Sequence, residues 1–281
     1  MSNALVLAGG GVAGIAWELG VLRGIADVDP ALAEQVLAAD LIVGTSAGSS
    51  VAAQITSGIP LDELYEAQLR PETAEIEVDV NTEELFAKYG AALADASGVE
   101  DARRRLGQLA LAAQTVHPSV RLAAIDARLP VKSWPDRDMR LPAVDAETGE
   151  AAVFTRESGV TLLDAVAASC AVPGVWPPVG IGDRHYVDGG VRSMTNADLA
   201  AGADRVLIIQ PVLRDAPQPW GDLNAEIAAL APAAVHVISA DQASVDAFGT
   251  NALSPATRAA PARAGRAVGA AHAAAVAERW G

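Results

Sequence analysis

Residues 41–50 read LIVGTSAGSS, in which three aliphatic residues lead directly into GTSAG at 44–48. A short buried strand that runs into G-x-S-x-G is typical of a nucleophile elbow, a sharp turn that exposes a serine hydroxyl between a strand and a helix. A serine hydroxyl becomes nucleophilic only when a general base takes its proton. The stretch therefore predicts a strand, a turn at Ser46 and a helix, and it requires a base from elsewhere in the chain.

Apolar runs and helical patterns alternate on both sides of this turn. ALVLA at 4–8 is a continuous apolar run, typical of a strand that is buried on both faces, and helical periodicity follows to about Asp27. Two such strand-helix units in succession predict a pair of parallel strands with helices packed on them. Further strands are predicted at 139–146, 151–155, 184–188, 204–212 and 233–240, of which the first two flank a turn at 147–150.

Residues 61–128 have a different character, because they are mainly helical and their first part is strongly acidic. We expect this segment to form a solvated helical cap rather than an interaction tail. The 281 residues contain no internal repeat and no linker long enough to separate domains. The sequence therefore predicts one α/β domain over residues 1–281 with a helical, cap-like insertion at 61–128.

Composition and charge narrow the classes of function. Hydrophobic residues make up 51% of the chain, which is enough for a large core, and the formal net charge is −15. A field of this sign repels nucleic acid and anionic lipid head groups, so a nucleic-acid partner is not expected. The single cysteine, Cys170, excludes an intramolecular disulfide. It fits a small core residue in a reducing compartment, which predicts a cytoplasmic location.

One uncharged run, Leu41 to Leu61, is long enough to resemble a membrane span. Its glycines, its proline and several serine and threonine residues fit a strand, a tight turn and a buried helix better. No basic segment precedes the first apolar residues, so a signal peptide is not expected. We therefore expect at most peripheral contact with a membrane, and the sequence leaves the oligomeric state open.

The glycines after the first strand allow two interpretations. Gly9, Gly11 and Gly14 match G-x-G-x-x-G between a strand and a helix, which is the dinucleotide-binding fingerprint. That interpretation requires an acidic residue at the end of the second strand, where this chain has the Ser46 turn. Alternatively, the loop is an oxyanion hole, since glycines let backbone N–H groups converge on a developing negative charge. The two glycine clusters lie at adjacent strand ends, which favours the second interpretation.

Four histidines and one aspartate are candidates for the base. The order of α/β-hydrolases, which is serine, acid and then histidine, would leave only His236, and this residue lies within an apolar strand. No motif surrounds the other histidines, which are His117, His185 and His272. Asp188 ends the short strand HYVDGG, and the two glycines after it let the backbone turn and expose the carboxylate. Taken alone, Asp-Gly-Gly predicts a hairpin turn, and an unperturbed aspartate is a weak base.

Three motifs in a fixed order identify a family. GGGVAG at 9–14, GTSAG at 44–48 and DGG at 188–190 resemble the motifs of the patatin-like phospholipases. ASCAVPGVWPPV at 168–179 and NADLAAGADRVLII at 196–209 are similar to that family around its catalytic aspartate. The resemblance implies a three-layer α/β/α sandwich with a mainly parallel central sheet. It further implies a Ser-Asp dyad without histidine that hydrolyses lipid acyl esters through an acyl-enzyme, with no metal or other cofactor.

The resemblance also assigns roles to residues of this chain. Ser46 is the expected nucleophile and Asp188 is the expected base. The expected oxyanion hole consists of the backbone N–H groups around Gly10, Gly11 and Val12. The glycines that support the three motifs are Gly9, Gly14, Gly44, Gly48, Gly189 and Gly190. A carboxylate base would normally titrate below the range of histidine, unless burial raises its pKa.

One position departs from the family's pattern. The family's glycine loop usually has arginine or lysine just before its last glycine, where this chain has Ala13. Together with the acidic composition, this neutral residue predicts no strong preference for anionic phospholipids. Trp176 is expected either to line the acyl pocket or to form a rigid wall of the core, and the same two alternatives apply to Trp17.

Two other classes of function remain open at this point. The glycine loop allows a nucleotide-binding α/β enzyme, and the same fold allows a lipid-binding protein that is catalytically silent. The partner expected from the resemblance is a lipid or small ester substrate, whose head group, chain length and positional preference the sequence does not define.

Overall fold

The structure is a computed structural model that describes residues 1–78, 80–216 and 221–280. Its strands are β1 Asn3–Leu7, β2 Leu41–Gly44, β3 Asp138–Asp145, β4 Ala151–Phe154, β5 Val179–Ile181, β6 Arg184–Asp188, β7 Arg205–Gln210 and β8 Ala234–Ser239. Its α-helices are α1 Gly11–Val28, α2 Pro30–Leu37, α3 Ala47–Ile55, α4 Leu61–Leu69, α5 Thr82–Leu93, α6 Val99–Ala112, α7 Pro118–Arg128, α8 Leu162–Ser169, α9 Leu223–Ala229, α10 Gln242–Phe248 and α11 Ala259–Trp280. Two of the short 3-10 helices lie at Gly189–Val191 and Ala197–Ala200.

The described strands form one eight-stranded sheet in the order β5-β6-β3-β2-β1-β7-β8, with β4 paired to β3. The pairs β1–β2, β1–β7, β2–β3 and β7–β8 are parallel. The pairs β3–β4, β3–β6 and β5–β6 are antiparallel, and the first of these is the predicted hairpin. The mainly parallel centre is therefore confirmed, and the antiparallel strands gather at the side of the sheet that carries Asp188.

Helices cover both faces of this sheet. Successive side chains of a strand point to opposite faces, so Leu5 and Leu7 face one side and Ala4 and Val6 face the other. Leu5 and Leu7 lie in a core that they share with α1, α3, α8 and α11. Ala4 and Val6 pack against the 3-10 helix at Ala197–Ala200 and against α9. The predicted three-layer α/β/α sandwich is confirmed.

Glycines hold α1 against α11. An added Cβ on Gly24 would lie 2.0 Å from the carbonyl oxygen of Arg266, and one on Gly269 would lie 2.0 Å from that of Val21. The two helices approach so closely at these points that only glycine fits. The Ala-rich stretch RAGRAVGAAHAAAVAERW at 263–280 predicts the second of these helices but not this backbone contact.

Residues 61–128 form α4 to α7. The predicted helical character of this segment is confirmed, and α7 starts directly after His117. Proline is well suited to the first helical position of α7, because the N–H that it lacks has no intrahelical acceptor. Nδ1 of His117 accepts a hydrogen bond of 3.3 Å from the N–H of Ser119 and so caps the helix. The division into one domain with a cap stays a prediction.

The uncharged run at residues 41–61 forms β2, the turn at Ser46, α3 and the first residue of α4. Its interpretation as a strand, a turn and a buried helix is confirmed. None of the helices in the described parts of the chain combines the length and the apolar composition that crossing a membrane requires.

Candidate active site

Ser46 occupies a strained turn between β2 and α3. Its φ of 51° and ψ of −112° lie in a backbone region that residues with a Cβ rarely adopt. The strand and the helix are in close contact here. An added Cβ on Gly44 would lie only 2.6 Å from the oxygen of Gly48. One on Gly48 would lie 2.1 Å from the oxygen of Leu7. Both motif glycines are thus required for packing, and they hold the serine at the end of the sheet.

Two residues at the end of α8 fix the backbone of Ser46. The N–H of Ser46 donates a hydrogen bond of 3.0 Å to the hydroxyl of Ser169. The thiol of Cys170 donates one of 3.1 Å to the carbonyl oxygen of Ser46, and the hydroxyl of Ser49 donates one of 2.6 Å to the same oxygen. Cys170 is buried, as predicted. Its contact with the elbow could not be predicted, since the two residues lie far apart in the sequence.

Asp188 lies at the end of β6, beside Ser46. The hydroxyl of Ser46 donates a hydrogen bond of 2.7 Å to Oδ2 of Asp188, and the N–H of Gly190 donates one of 2.7 Å to Oδ1. Burial raises the pKa of Asp188 to about 7, although the hydrogen bonds from Ser46 and Gly190 act in the opposite direction. A carboxyl group with such a pKa exchanges its proton near neutral pH, as a general base must.

Asn196 joins the turn of Ser46 to the turn of Asp188. Its backbone is left-handed, with a φ of 50°. Its Nδ2 donates hydrogen bonds of 3.1 Å to Oγ1 of Thr45 and 3.2 Å to the oxygen of Gly189. Thr45 precedes the serine and Gly189 follows the aspartate, so one side chain holds both turns in register. Sequence reasoning missed this role, and the only signal for it is the position of Asn196 at the start of NADLAAGADRVLII.

The glycine loop between β1 and α1 borders the cavity at Ser46. Gly11 and Val12 line this cavity. Among the described residues, no acceptor is present for the backbone N–H groups of Gly10, Gly11 and Val12, whereas the N–H of Ala13 donates to a loop carbonyl at 2.9 Å. The first N–H groups of a helix have no intrahelical acceptor and point outward, so this loop can bind an anion.

Three glycines of this loop, Gly9, Gly10 and Gly14, pack closely against neighbouring residues. An added Cβ on Gly10 would lie 2.3 Å from Cγ of Pro211. One on Gly9 would lie 3.5 Å from Cβ of Ser46, and one on Gly14 would lie 3.3 Å from Cβ of the residue after Ser46. The loop therefore lies directly against the elbow, and Gly10→Ala would disturb packing as well as any anion bound there.

The cavity at Ser46 is small. Its volume is about 10 Å³, which is room for about one water molecule. A second cavity of about 430 Å³ adjoins it and shares Val12, Ile15 and Arg128 with it. Pockets for small ligands typically have volumes of roughly 300–1,000 Å³, so the second cavity is large enough for part of a substrate.

The sequence model of the patatin-like phospholipases matches residues 5–201 of this chain. The chain belongs to the patatin-like phospholipase family. The family's name describes the hydrolysis of lipid esters, and the resemblance of the three motifs is confirmed.

Two solved structures are similar to this patatin-like chain. VipD from Legionella pneumophila is 12% identical with a TM-score of 0.41, and the match covers 88% of this chain and 53% of VipD. The type III effector protein ExoU is 13% identical with a TM-score of 0.43, and the match covers 98% of this chain and 53% of ExoU. The chain thus spans about half the length of both proteins. No curated protein matches its sequence.

The two tryptophans of the patatin-like chain have different surroundings. Trp17 is buried in the core, and its Nε1 donates a hydrogen bond of 2.9 Å to the hydroxyl of Ser244. Of the two alternatives for Trp17, acyl pocket or core, the core is therefore the correct one. Trp176 is also buried, but it forms part of the wall of the cavity at Ser46. Its contact with an acyl chain stays a prediction.

All four histidines lie within the described residues, and none lines the cavity at Ser46. Nε2 of His236 lies 3.3 Å from Nδ1 of His272, and Nδ1 of His185 lies 2.7 Å from Oε1 of Glu147. The remaining histidine caps α7. In the described parts of the chain, no three histidine, cysteine or acidic side chains are grouped so that they could hold a metal ion.

Sequence reasoning also missed Arg121 of α7. This residue is 6% exposed and lines the cavity at Ser46. Its guanidinium group lies over the ring of Trp176, with 3.7 Å between Cζ and the ring centroid. No motif surrounds it in PSVRLAAI, so only the three-dimensional structure brings this cation to the site.

Proposed function

We propose that this patatin-like phospholipase is a serine acyl hydrolase in which Ser46 attacks lipid acyl esters and Asp188 is the base. The hydrogen bond of 2.7 Å from Oγ of Ser46 to Oδ2 of Asp188 carries the proposal. The strained elbow supports it as well, because such a turn exposes a nucleophile at the cost of backbone strain. The raised pKa of Asp188 makes its carboxylate a stronger base than an exposed aspartate.

Acylation begins with Asp188 ionised. As Oγ of Ser46 bonds to the ester carbon, the hydroxyl proton moves to Oδ2 of Asp188 and the carbonyl electron pair moves onto the oxygen. The resulting oxyanion faces the N–H groups of Gly10, Gly11 and Val12, and the N-terminus of α3 adds a favourable dipole. The bond to the alcohol then breaks, and the alcohol leaves with the proton from Asp188.

Deacylation repeats these steps with water. Asp188 takes a proton from the water molecule as its oxygen bonds to the acyl carbon. The second oxyanion is stabilised by the same N–H groups. When it collapses, the bond to Oγ of Ser46 breaks, the serine oxygen recovers the proton and the carboxylic acid is released.

We place the acyl chain in the cavity of about 430 Å³. The wall of this cavity is partly polar, and its apolar part includes Ile15 from the sandwich, Leu64 from α4 and Ala124 from α7. The segment at 61–128 would thus act as the predicted cap within one domain over 1–281. Because the space at Ser46 is only about 10 Å³, side chains between the two cavities must move when an ester binds. The single buried cysteine, Cys170, supports the accompanying proposal of a cytoplasmic location.

Labelling with a fluorophosphonate tests the nucleophile. The probe should bind once, at Ser46, and Ser46→Ala should abolish labelling. Hydrolysis should then be measured on esters of graded acyl length beside phospholipids. Binding of acyl chains without any hydrolysis would identify a silent lipid-binding protein instead. A thermal shift with NAD or ATP, without labelling, would identify a nucleotide-binding enzyme.

A further inference from the structure

Arg121 is a buried cation, and the described residues offer its Nη1 no hydrogen-bond acceptor. Its side chain is 7% exposed, and its Nη1 has no hydrogen-bond partner among the described residues. The guanidinium group lies over the ring of Trp176 and borders the cavity that contains Ser46. A buried charge is normally paired and hydrogen-bonded, since its desolvation is otherwise uncompensated. Arg121 therefore has hydrogen-bond donors for which an anion in this cavity could be the acceptor.

The neighbouring carboxylate is already used. Glu75 accepts a hydrogen bond of 2.6 Å from Nη2 of Arg128 on Oε2, and Nε of Arg128 donates to Oε1. Nη1 of Arg121 lies 4.0 Å from Oε2 of Glu75, which is beyond hydrogen-bond distance. One carboxylate thus faces two guanidinium groups. When Asp188 is protonated, a positive charge remains at the cavity, although the chain as a whole carries −15.

Arg121 stays a cation at neutral pH. Burial and the nearby charge of Arg128 lower the pKa of its guanidinium, but arginine is too basic to lose its proton in this range. Asp188 attracts Arg121 when it is ionised, but its two oxygens accept hydrogen bonds from Ser46 and Gly190. A guanidinium group presents several donors in a rigid fork, which suits the two oxygens of a carboxylate or phosphate.

We propose that Arg121 binds an anionic group of the substrate, a phosphate or a carboxylate next to the ester that Ser46 attacks. The proposal rests on the function of Ser46 and Asp188 proposed above and narrows its substrate class to esters with an acidic head group. It reverses the expectation drawn from Ala13: the glycine loop lacks a cation, but α7 brings one to the same cavity. We expect the anion as part of the substrate, because Arg121 and Ser46 line the same cavity.

Matched substrates test this assignment. Three esters share one dodecanoyl chain and differ in the head group, which is glycerol, glycerol phosphate or glycerate; all are used below the concentration at which they form micelles. Arg121→Met should lower kcat/KM for the two anionic esters about tenfold to a hundredfold more than for the glycerol ester, mainly through KM. Arg121→Lys should recover part of the difference. Arg156→Met removes an exposed arginine and controls for net charge.

The glycerol phosphate and glycerate esters show which anion is preferred, since the preferred one should lose more kcat/KM in Arg121→Met than the other. Equal losses on all three esters would overturn the proposal and mean that Arg121 acts through Asp188 or through packing. If Arg121→Met does not fold, Arg121→Gln provides the same comparison without the charge.

A binding measurement separates this proposal from the catalytic one. Dodecyl phosphate, which is not an ester of a carboxylic acid, should raise the Tm of the wild type more than that of Arg121→Met, whereas dodecanol should affect both equally. An equal shift with dodecyl phosphate would overturn the role of Arg121 even in an active enzyme. Conversely, a shift that depends on Arg121 in a protein without esterase activity or labelling would refute only the proposed function.

Discussion

The hydroxyl of Ser46 lies 2.7 Å from Oδ2 of Asp188, although 142 positions separate the two residues in the chain. The sheet explains this distance. β3 runs parallel to β2 and continues beyond its end, since Val43 pairs with Arg140. β6 then returns antiparallel along the extended part of β3, where Asp188 pairs with Ala143. The mixed edge of the sheet therefore brings the carboxylate to the serine.

The strain at Ser46 predicts different stabilities for two inactive variants. Both Ser46→Ala and Ser46→Gly remove the hydroxyl, but only alanine keeps a Cβ at a φ of 51°. Ser46→Gly should therefore be more stable than Ser46→Ala by about 1 kcal/mol in the free energy of unfolding. This figure is what remains of the relief of strain after the larger entropy of glycine in the unfolded state is subtracted. Urea unfolding of the two variants measures the difference. Equal stabilities would show that the elbow is not strained.

The pKa of Asp188 predicts the pH dependence of activity. The base must be ionised, so kcat/KM should rise with pH and reach half its maximum at about pH 7. Asp188→Asn nearly preserves the shape but removes the proton acceptor, so it should be folded and inactive. A histidine would titrate near the same pH, at about 6.5, so the profile alone does not distinguish the two bases. Replacing each histidine singly distinguishes the two bases, because only a histidine base would lose activity in this way. If His236→Ala is folded but inactive while Asp188→Asn is active, the dyad is refuted.

The raised pKa of Asp188 also makes the stability of the fold depend on pH. Stability should fall as the pH rises, whereas activity should increase. The carboxyl of Asp188 binds its proton more tightly in the folded state than at its ordinary value of 3.8. The resulting stabilisation is fully present below about pH 4 and is lost as the pH rises through about 7. The Tm of the wild type should therefore fall over this range relative to that of Asp188→Asn.

The motifs predict local structure, and long-range contacts supply the rest of the site. Ser46, Asp188 and the glycine loop could be found because each lies in a short pattern with its own backbone geometry. Arg121, Asn196 and the contact between α1 and α11 could not be found in this way. Their roles depend on which elements pack together, and a single arginine or glycine in a helical pattern carries no signal of its partner.

The buried pair of Glu75 and Arg128 should be essential for stability. Their side chains are 9% and 8% exposed, and Arg121 lies next to them. Glu75→Gln leaves two guanidinium groups without a carboxylate, which should lower the free energy of unfolding by about 3–5 kcal/mol. Urea unfolding measures this loss.

An exposed ion pair provides the control for Glu75. Asp136 pairs with Arg156, and its side chain is 99% exposed. Asp136→Asn should change the free energy of unfolding by no more than about 0.5 kcal/mol, because solvent screens such pairs. A comparably small effect of Glu75→Gln would show that the cluster near Ser46 is solvated and would weaken the case for an unmatched charge on Arg121.

The contact between α1 and α11 predicts opposite effects for the same substitution in two helices. At Gly24 an added Cβ would lie 2.0 Å from the oxygen of Arg266, so Gly24→Ala must push the helices apart. We expect it to destabilise the fold by about 1–3 kcal/mol, as overpacking does. At Gly90, within α5, an added Cβ would have no atom within 4 Å, so Gly90→Ala should stabilise by roughly 0.5–1 kcal/mol. Labelling of Ser46 should persist in both folded variants. If Gly24→Ala also stabilised the protein, the close approach of α1 and α11 would be wrong.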